Sequence, residues 1–162
     1  MTSKTRTPSG QFSTRSGTLT IALDVNPLVY AGNVRSPFHS RAVAALTDLR
    51  ATNELTYLFW PVVAGYVRIA TNPRLHPNPL TLAEGLRNIR ELVSQPHVRT
   101  GSEAAGFIES LTHACTEVRA AGNLVSDAYI VALMRQHGIS RILTHDRDFR
   151  KFDGIRIVDP FA

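Results

Sequence analysis

The sequence predicts an α/β domain, a three-layer sandwich in which helices flank a mainly parallel central sheet. Short apolar runs typical of buried strands alternate along the chain with longer segments of helical periodicity. With 162 residues, 43% of them hydrophobic, the chain is long enough to bury one core of its own. No internal repeat or second domain is visible. Cys115 is the only cysteine, which excludes a disulfide framework within the chain and fits a reducing, cytoplasmic setting.

The first 18 residues differ from the rest of the chain. They are rich in Ser and Thr and lack periodicity, so residues 1–18 are predicted to be a disordered basic tail and residues 19–162 the folded domain. Three of the 18 basic residues and none of the 13 acidic ones lie in this tail, so only +2 of the formal +5 belongs to the domain. No apolar run is long enough to span a membrane, which predicts a soluble protein.

The first predicted elements are two strands, each followed by a helix. The run "LTIALDVN" contains an apolar strand that ends at Asp24. The segment "SPFHSRAVAALTDL" has apolar residues at helical spacing, with Pro37 in the first turn. "LTYLFW" is a second strand, and Pro61 opens a helix that stops at "TNP".

The middle of the chain begins with a clear helix start. Thr81 and Glu84 form a capping box, which predicts a helix over residues 81–94. "HVRT" is a short strand. Ser102 is then predicted to cap a helix over residues 103–120.

The last third of the chain predicts one helix and two strands. The helix is "SDAYIVALMRQHG", with Ser126 at its start, Asp127 in its first turn and Gly138 just past its end. The strands are "RILT" and "IRIV". Alternation of strands and helices over the whole chain is what favours the parallel sheet.

Three acidic residues from distant segments are predicted to converge on one edge of this sheet. Asp24 follows the first strand, Asp146 follows "RILT", and Asp127 lies near a helix start. Ligand sites in open parallel sheets lie beyond the carboxyl ends of the strands. Mutual repulsion would raise the pKa of at least one carboxyl group unless a hard cation neutralised the cluster. We therefore predict a Mg²⁺ or Mn²⁺ site held by these three carboxylates.

Each acid taken alone also has a structural interpretation. Asp24 could cap a turn with Asn26, Asp127 could be an ordinary charge at a helix N-terminus, and Asp146 or Asp148 could cap the turn "DRDF". The joint position of the three acids at strand ends favours a site.

Six segments in order carry a family resemblance: "LDVNPLVYA", "SPFHSRA", "GYVRIATNPR", "NPLTLAEG", "GNLVSDAYIVALMRQHG" and "LTHDRDFRKFDGIRIVDP". Together they resemble the PIN-domain ribonucleases of the VapC toxin type, over nearly all of residues 20–160. The resemblance implies a PIN-like fold that cleaves RNA with Mg²⁺ or Mn²⁺. It also implies a toxin held inactive by a VapB-like antitoxin, and a protein that pairs as a homodimer.

The resemblance assigns roles to individual residues. Asp24, Asp127 and Asp146 match the catalytic, metal-binding acids of the family. Accessory roles fall to Thr144, a hydroxyl residue beside the late acid, to Asp148 in the "DRDF" pattern, and to Asn26. Phe149 is interpreted as a core anchor.

Three arginines are predicted to contact RNA phosphates beside the cleavage site: Arg68, Arg147 and Arg150. Arg68 could instead form a structural ion pair with an acid. Most basic residues of the domain are arginines, which suit bidentate phosphate contacts but could equally reflect coding bias.

One position departs from the family pattern. Many members carry a glutamate three or five residues before the arginine of "GYVRIATNP", where this chain has Gly65 and Val63. A catalytically inactive RNA-binding or scaffold protein is therefore an alternative. A phosphatase of the haloacid dehalogenase type is a weaker one, because Asn26 stands where that family needs a second aspartate.

Overall fold

The computed structural model describes residues 19–52, 54–76 and 78–162. The predicted tail of residues 1–18 lies outside these ranges. The strands are β1 (Thr20–Leu23), β2 (Leu55–Phe59), β3 (Val98–Gly101), β4 (Arg141–Leu143) and β5 (Arg156–Val158). They form one five-stranded sheet, all parallel, in the order β3-β2-β1-β4-β5. The predicted three-layer α/β sandwich with a parallel sheet is confirmed.

The helices form two packed groups. Their bounds are α1 (Val25–Gly32), α2 (His39–Ala51), α3 (Trp60–Ala70), α4 (Leu82–Val93), α5 (Phe107–Val118) and α6 (Asn123–Gln136), with a 3₁₀ helix over Arg147–Lys151. In the first group α1 packs on α2 and α3, and α3 packs on α4; in the second, α5 packs on α6, which also contacts the 3₁₀ helix. Across the described ranges, no helix is both long and apolar enough to cross a bilayer.

The core is centred on β1 and α6. Ile21, Ala22 and Leu23 are fully buried in the middle strand, and α6 carries a run of fully buried residues, Val131–Met134. A parallel strand covered by helices on both faces buries every residue, so its sequence is continuously apolar and does not alternate. This explains why "IAL" in β1 has no period of two.

Several local predictions are confirmed in detail. Thr81 and Glu84 form the predicted capping box: the Glu84 N–H donates to Thr81 Oγ1 at 3.2 Å, and the Thr81 N–H donates to Glu84 Oε2 at 2.7 Å. Pro61 lies at the start of α3, and α3 ends at Ala70, before "TNP". Phe149 is fully buried, as expected of a core anchor.

Three predicted helix starts are wrong, and two of them are those of α5 and α6. The helix predicted from residue 103 begins at Phe107, because residues 102–105 carry the chain from the sheet edge and Gly106, with φ of 77°, precedes the first turn. The last long helix begins at Asn123, three residues before Ser126. Asp127 is therefore not in the first turn, and the helix dipole is not what positions it.

The sequence analysis also missed α1. Its segment "VNPLVYAG" is only one residue removed from β1, and at 8 residues it is too short for a clear helical period. The following helix, α2, starts at His39, so Pro37 precedes it and does not lie in its first turn.

Candidate active site

The candidate site lies where the strand order of the sheet reverses. β1 pairs with β2 on one side and with β4 on the other, and crevices at such a reversal are the usual ligand sites of open parallel sheets. Leu23 is paired in register with Leu143, so the residues that follow, Asp24 and Thr144, leave the sheet side by side. This pairing brings together two segments that are 120 positions apart in the chain.

Thr144 joins two of the predicted acids. Its hydroxyl donates to Asp24 Oδ2 at 2.6 Å and accepts the N–H of Asp146 at 2.9 Å. Thr144 is completely buried, and Asp24 is only 7% exposed. The hydroxyl therefore fixes the carboxylate of Asp24 relative to the loop that carries Asp146.

Asp146 also organises the turn after it. Its Oδ1 accepts the N–H of Asp148 at 2.8 Å, so Asp146 is the N-cap of the 3₁₀ helix. The capping interpretation is confirmed for Asp146, and it does not exclude a role of the same side chain in a site. One carboxylate oxygen serves the cap, and the group still lies among the other acids.

Among the described residues, Asp127, Asp146 and Asp148 offer carboxylate oxygens that lie within 4.8 Å of one another. Asp24 is not part of this closest set, although its charge raises the pKa of Asp127. Asp148, assigned only an accessory role by the sequence, is therefore nearer to the proposed centre than that role implies. We refer to these four residues as the acid cluster.

Burial and the charges of neighbouring carboxylates make two members of the acid cluster, Asp24 and Asp127, hard to ionise. Burial is the main cause of the raised pKa of Asp24, while the hydrogen bond from Thr144 opposes it and the charge of Asp146 adds to it. Burial, followed by the charges of Asp146, Asp24 and Asp148, raises the pKa of Asp127 to about 7. A cation bound among these carboxylates would offset their mutual repulsion, so the arrangement favours cation binding.

The donor set fits a hard divalent cation. All of its ligand atoms are carboxylate oxygens, the donors preferred by Mg²⁺ and Mn²⁺, and soft sulfur and imidazole donors are not among them. Lys151 pairs with the acid cluster: its Nζ lies 2.9 Å from Asp148 Oδ1, in a pair that is about half exposed. An exposed pair of this kind contributes little and yields readily to a stronger cation.

We expect the stability of the metal-free protein to fall as pH rises from about 5 to 8. The folded-state pKa of Asp127 lies above its unfolded value, so the folded chain binds the extra proton and loses that advantage as pH passes about 7. Thermal melting in EDTA across this range measures the effect. Asp127→Asn should flatten the profile, and Mg²⁺ should raise the melting temperature more at pH 8 than at pH 5. A profile identical in wild type and Asp127→Asn would contradict the prediction.

A cleft of about 480 Å³ opens beside the acid cluster and is lined by Asp24, Asp127 and Arg68. Arg68 is exposed on α3, and within the described part of the chain it forms no ion pair, so the alternative of a structural pair finds no partner there. Arg147 and Arg150 are exposed on the 3₁₀ helix that follows Asp146.

The two positions considered for the missing glutamate differ in their surroundings. Gly65 lines the same cleft as Asp24, and a Cβ added there would make an ordinary 3.6 Å contact with Val25. Val63 packs against the core. Asn26 is half-buried in α1 just after Asp24, and its backbone N–H interacts with the Asp24 carboxylate and lowers the pKa of that group.

Thr144 offers a direct check on how the acid cluster is organised. We expect Thr144→Val, which keeps the shape but removes the hydroxyl, to weaken Mg²⁺ affinity roughly 10- to 100-fold, as is typical when a group that orients a metal ligand is lost. Thr144→Ser is the matched control and should retain most of the affinity. Calorimetric titration with Mg²⁺ measures both. Equal affinities for the valine and serine variants would show that the hydroxyl does not organise the site.

The sequence analysis missed an aromatic group next to the acid cluster. Tyr30, Phe38, His145 and Phe161 come from four separate segments, and their ring centroids lie 4.9–6.4 Å apart in every pairing. The Nδ1 atom of His145 lies 3.1 Å from the carboxylate of Asp159. No local sequence pattern signals such a group, because its members share no spacing.

Comparison with known proteins gives consistent matches over most of the chain. Residues 21–155 match the PIN domain. Ribonuclease VapC48 of Mycobacterium tuberculosis is 48% identical over 139 residues, which cover 86% of this chain and 96% of that protein. Ribonuclease VapC37 of the same organism is 29% identical over 140 residues, 86% and 96% of the two chains.

Solved structures share the fold at low sequence identity. VapBC2 from Rickettsia felis, bound to a DNA fragment from its promoter, superposes with a TM-score of 0.63 and 15% identity, covering 87% of this chain and 98% of that one. Mycobacterium tuberculosis VapC20, a toxin that cleaves the sarcin-ricin loop, superposes with a TM-score of 0.59 and 19% identity, covering 84% and 98%.

Proposed function

The chain belongs to the PIN domain family, and on that premise we propose that it is a divalent-metal-dependent ribonuclease, the toxin of a toxin–antitoxin pair. The observation that carries the proposal is the acid cluster at the strand reversal, with three carboxylates whose oxygens lie within 4.8 Å of one another. The similarity to ribonuclease VapC48, which is 48% identical, supports the same activity.

The residues of the acid cluster have different proposed roles in metal binding. Asp127, Asp146 and Asp148 would hold Mg²⁺ or Mn²⁺, and Asp24, locked by Thr144, adds its charge to the same site. A bound divalent cation supplies polarisation of the scissile phosphate and a water molecule activated for in-line attack. Arg68 on the cleft wall, and Arg147 and Arg150 on the 3₁₀ helix, bind the phosphates that flank the scissile one.

The missing glutamate favours a second candidate, a PIN-domain protein that binds RNA without cutting it. Gly65 leaves the cleft wall without an acid at one of the two possible positions, and Val63 is engaged in packing. The described acid cluster nevertheless retains four carboxylates. This number is enough to hold one cation without the glutamate, which is why we favour the enzyme.

A cleavage assay separates the two candidates. The purified full chain is incubated with a mixed-sequence RNA oligonucleotide in EDTA, Mg²⁺ or Mn²⁺, with a phosphate monoester as a parallel substrate. Cleavage of RNA that requires the metal supports the nuclease. Binding without cleavage in any metal supports the scaffold, and hydrolysis of the monoester alone would contradict both.

We propose that a small VapB-like antitoxin, encoded beside this chain, covers the acid cluster. An uncovered ribonuclease would damage RNA of its own cell, and a basic side chain placed among these carboxylates would relieve the repulsion that raises the pKa of Asp127. Induction of the chain should arrest growth, and co-expression of the neighbouring small protein should relieve the arrest.

A homodimer is proposed as well, from the family resemblance. Light scattering of the purified chain measures whether it is a dimer.

A further inference from the structure

Phe161, near the C-terminus, packs against the other rings of the aromatic group beside the acid cluster. Phe161 is 4% exposed and packs edge-on against Tyr30 and Phe38, with ring centroids 5.2 and 5.4 Å away. Its backbone is fixed at both ends: the N–H donates to Asp159 Oδ1 at 2.9 Å, and the carbonyl accepts from Arg41 Nη1 at 2.8 Å. Packing and these two hydrogen bonds therefore fix the position of Phe161.

Three rings pack against Phe161 and stay partly open to solvent. Tyr30, Phe38 and His145 are each half-buried, and the His145 side chain is 28% exposed. Asp159, only 9% exposed, faces Nδ1 of His145 and fixes the orientation of the imidazole ring. We call Tyr30, Phe38 and His145 the aromatic platform. Fixed, partly exposed rings lose little entropy when a flat ligand stacks on them.

The aromatic platform adjoins the acid cluster directly. His145 lies in the chain between Thr144 and Asp146, which are joined by a hydrogen bond. Tyr30 is close enough for the charges of Asp24 and Asp146 to raise the pKa of its phenol, after the larger effect of burial. A ligand bound across the acid cluster therefore reaches these rings.

We propose that the aromatic platform stacks an unpaired nucleobase of the RNA next to the scissile phosphate. This inference rests on the proposed ribonuclease function. Aromatic side chains bind single-stranded nucleic acid through the π-face of each base, which phosphate contacts by arginine cannot reproduce. The platform thus positions the strand by a base, while Arg68, Arg147 and Arg150 hold its phosphates.

The test compares RNA with a backbone that lacks bases. Binding is measured in an Asp127→Asn background in EDTA, so that cleavage is suppressed. Fluorescence anisotropy is used with a labelled single-stranded RNA of mixed sequence and with an abasic oligomer of the same length. We expect the background protein to prefer the base-containing RNA. Phe38→Leu and Tyr30→Leu keep apolar volume but remove the ring, and each should weaken binding of the base-containing RNA by about five-fold or more. Affinity for the abasic oligomer should not change.

A second group of rings provides the matched control. Tyr57 is half-buried and packs with Phe59 and His137, at 6.1 and 5.4 Å between centroids. His137 is the C-cap of α6, at the opposite end of that helix from Asp127. Tyr57→Leu should leave both affinities at the level of the background, and thermal melting identifies any variant that has lost its fold. Phe38→Tyr, which restores a ring, should recover binding.

The outcomes separate the two levels of the argument. Equal binding of RNA and the abasic oligomer by the background protein, or unchanged RNA affinity in a folded Phe38→Leu or Tyr30→Leu variant, overturns the platform while the cleavage assay of the wild type stands. A wild-type chain that neither cleaves nor binds RNA overturns the proposed function and the platform together.

Discussion

Asparagine in place of Asp127 or Asp146 is expected to lower metal-dependent RNA cleavage at least about 100-fold. Each substitution keeps the shape of the side chain but removes one of the charges that hold the cation. A catalytic metal contributes several kcal/mol of charge stabilisation in the transition state, and about 1.4 kcal/mol corresponds to a factor of ten in rate. Initial rates of cleavage in Mg²⁺ with the wild-type and variant proteins measure the loss.

The same variants should not lose stability. In EDTA at pH 8, removal of one carboxylate relieves repulsion within the acid cluster, because the pKa of Asp127 is raised by its three neighbours as well as by burial. The variants should therefore melt at or above the temperature of the wild type. Asp48→Asn is the matched control, since Asp48 is exposed on α2 and outside the acid cluster. Wild-type cleavage by either Asp127→Asn or Asp146→Asn would refute this assignment of the acid cluster.

Truncation of Phe149 to alanine is expected to cost about 3–5 kcal/mol of unfolding free energy, as is usual for a buried phenylalanine. Phe149 is fully buried and contacts Phe152, with 6.4 Å between ring centroids. It lies in the 3₁₀ helix immediately after Asp148, so its loss should also loosen the acid cluster. Denaturant unfolding monitored by circular dichroism gives the free energy, and a Mg²⁺ titration detects the loosening.

An exposed apolar residue serves as the control for this prediction. Ile108 is 65% exposed on α5, and Ile108→Ala should change the unfolding free energy by no more than about 0.5 kcal/mol. Similar losses in the two variants would mean that Phe149 is not the anchor that its burial indicates.

Much of the fold could be predicted because its signals are local. The strand "IAL" and the capping box of Thr81 and Glu84 depend on residues within a few positions of one another. The errors arose where local signals compete or are weak. Ser102 is a good N-cap residue, but the chain must first cross from β3 to the helix layer, and α5 starts only at Phe107. α1 was missed because eight residues give too few turns for a period.

The sequence by itself determined the chemical character of this protein: the parallel α/β fold, the three acids expected at one edge of the sheet and the family to which the chain belongs. Only the tertiary structure decided how those acids are arranged. The register of β1 against β4 sets Asp24 beside Thr144 across 120 positions, and the 3₁₀ turn brings Asp148 into the closest set of oxygens. The aromatic platform likewise exists only after folding, because Tyr30, Phe38 and His145 meet through the packing of separate segments. Strand pairing and side-chain packing act between residues that are distant in the chain, and no local pattern encodes their outcome.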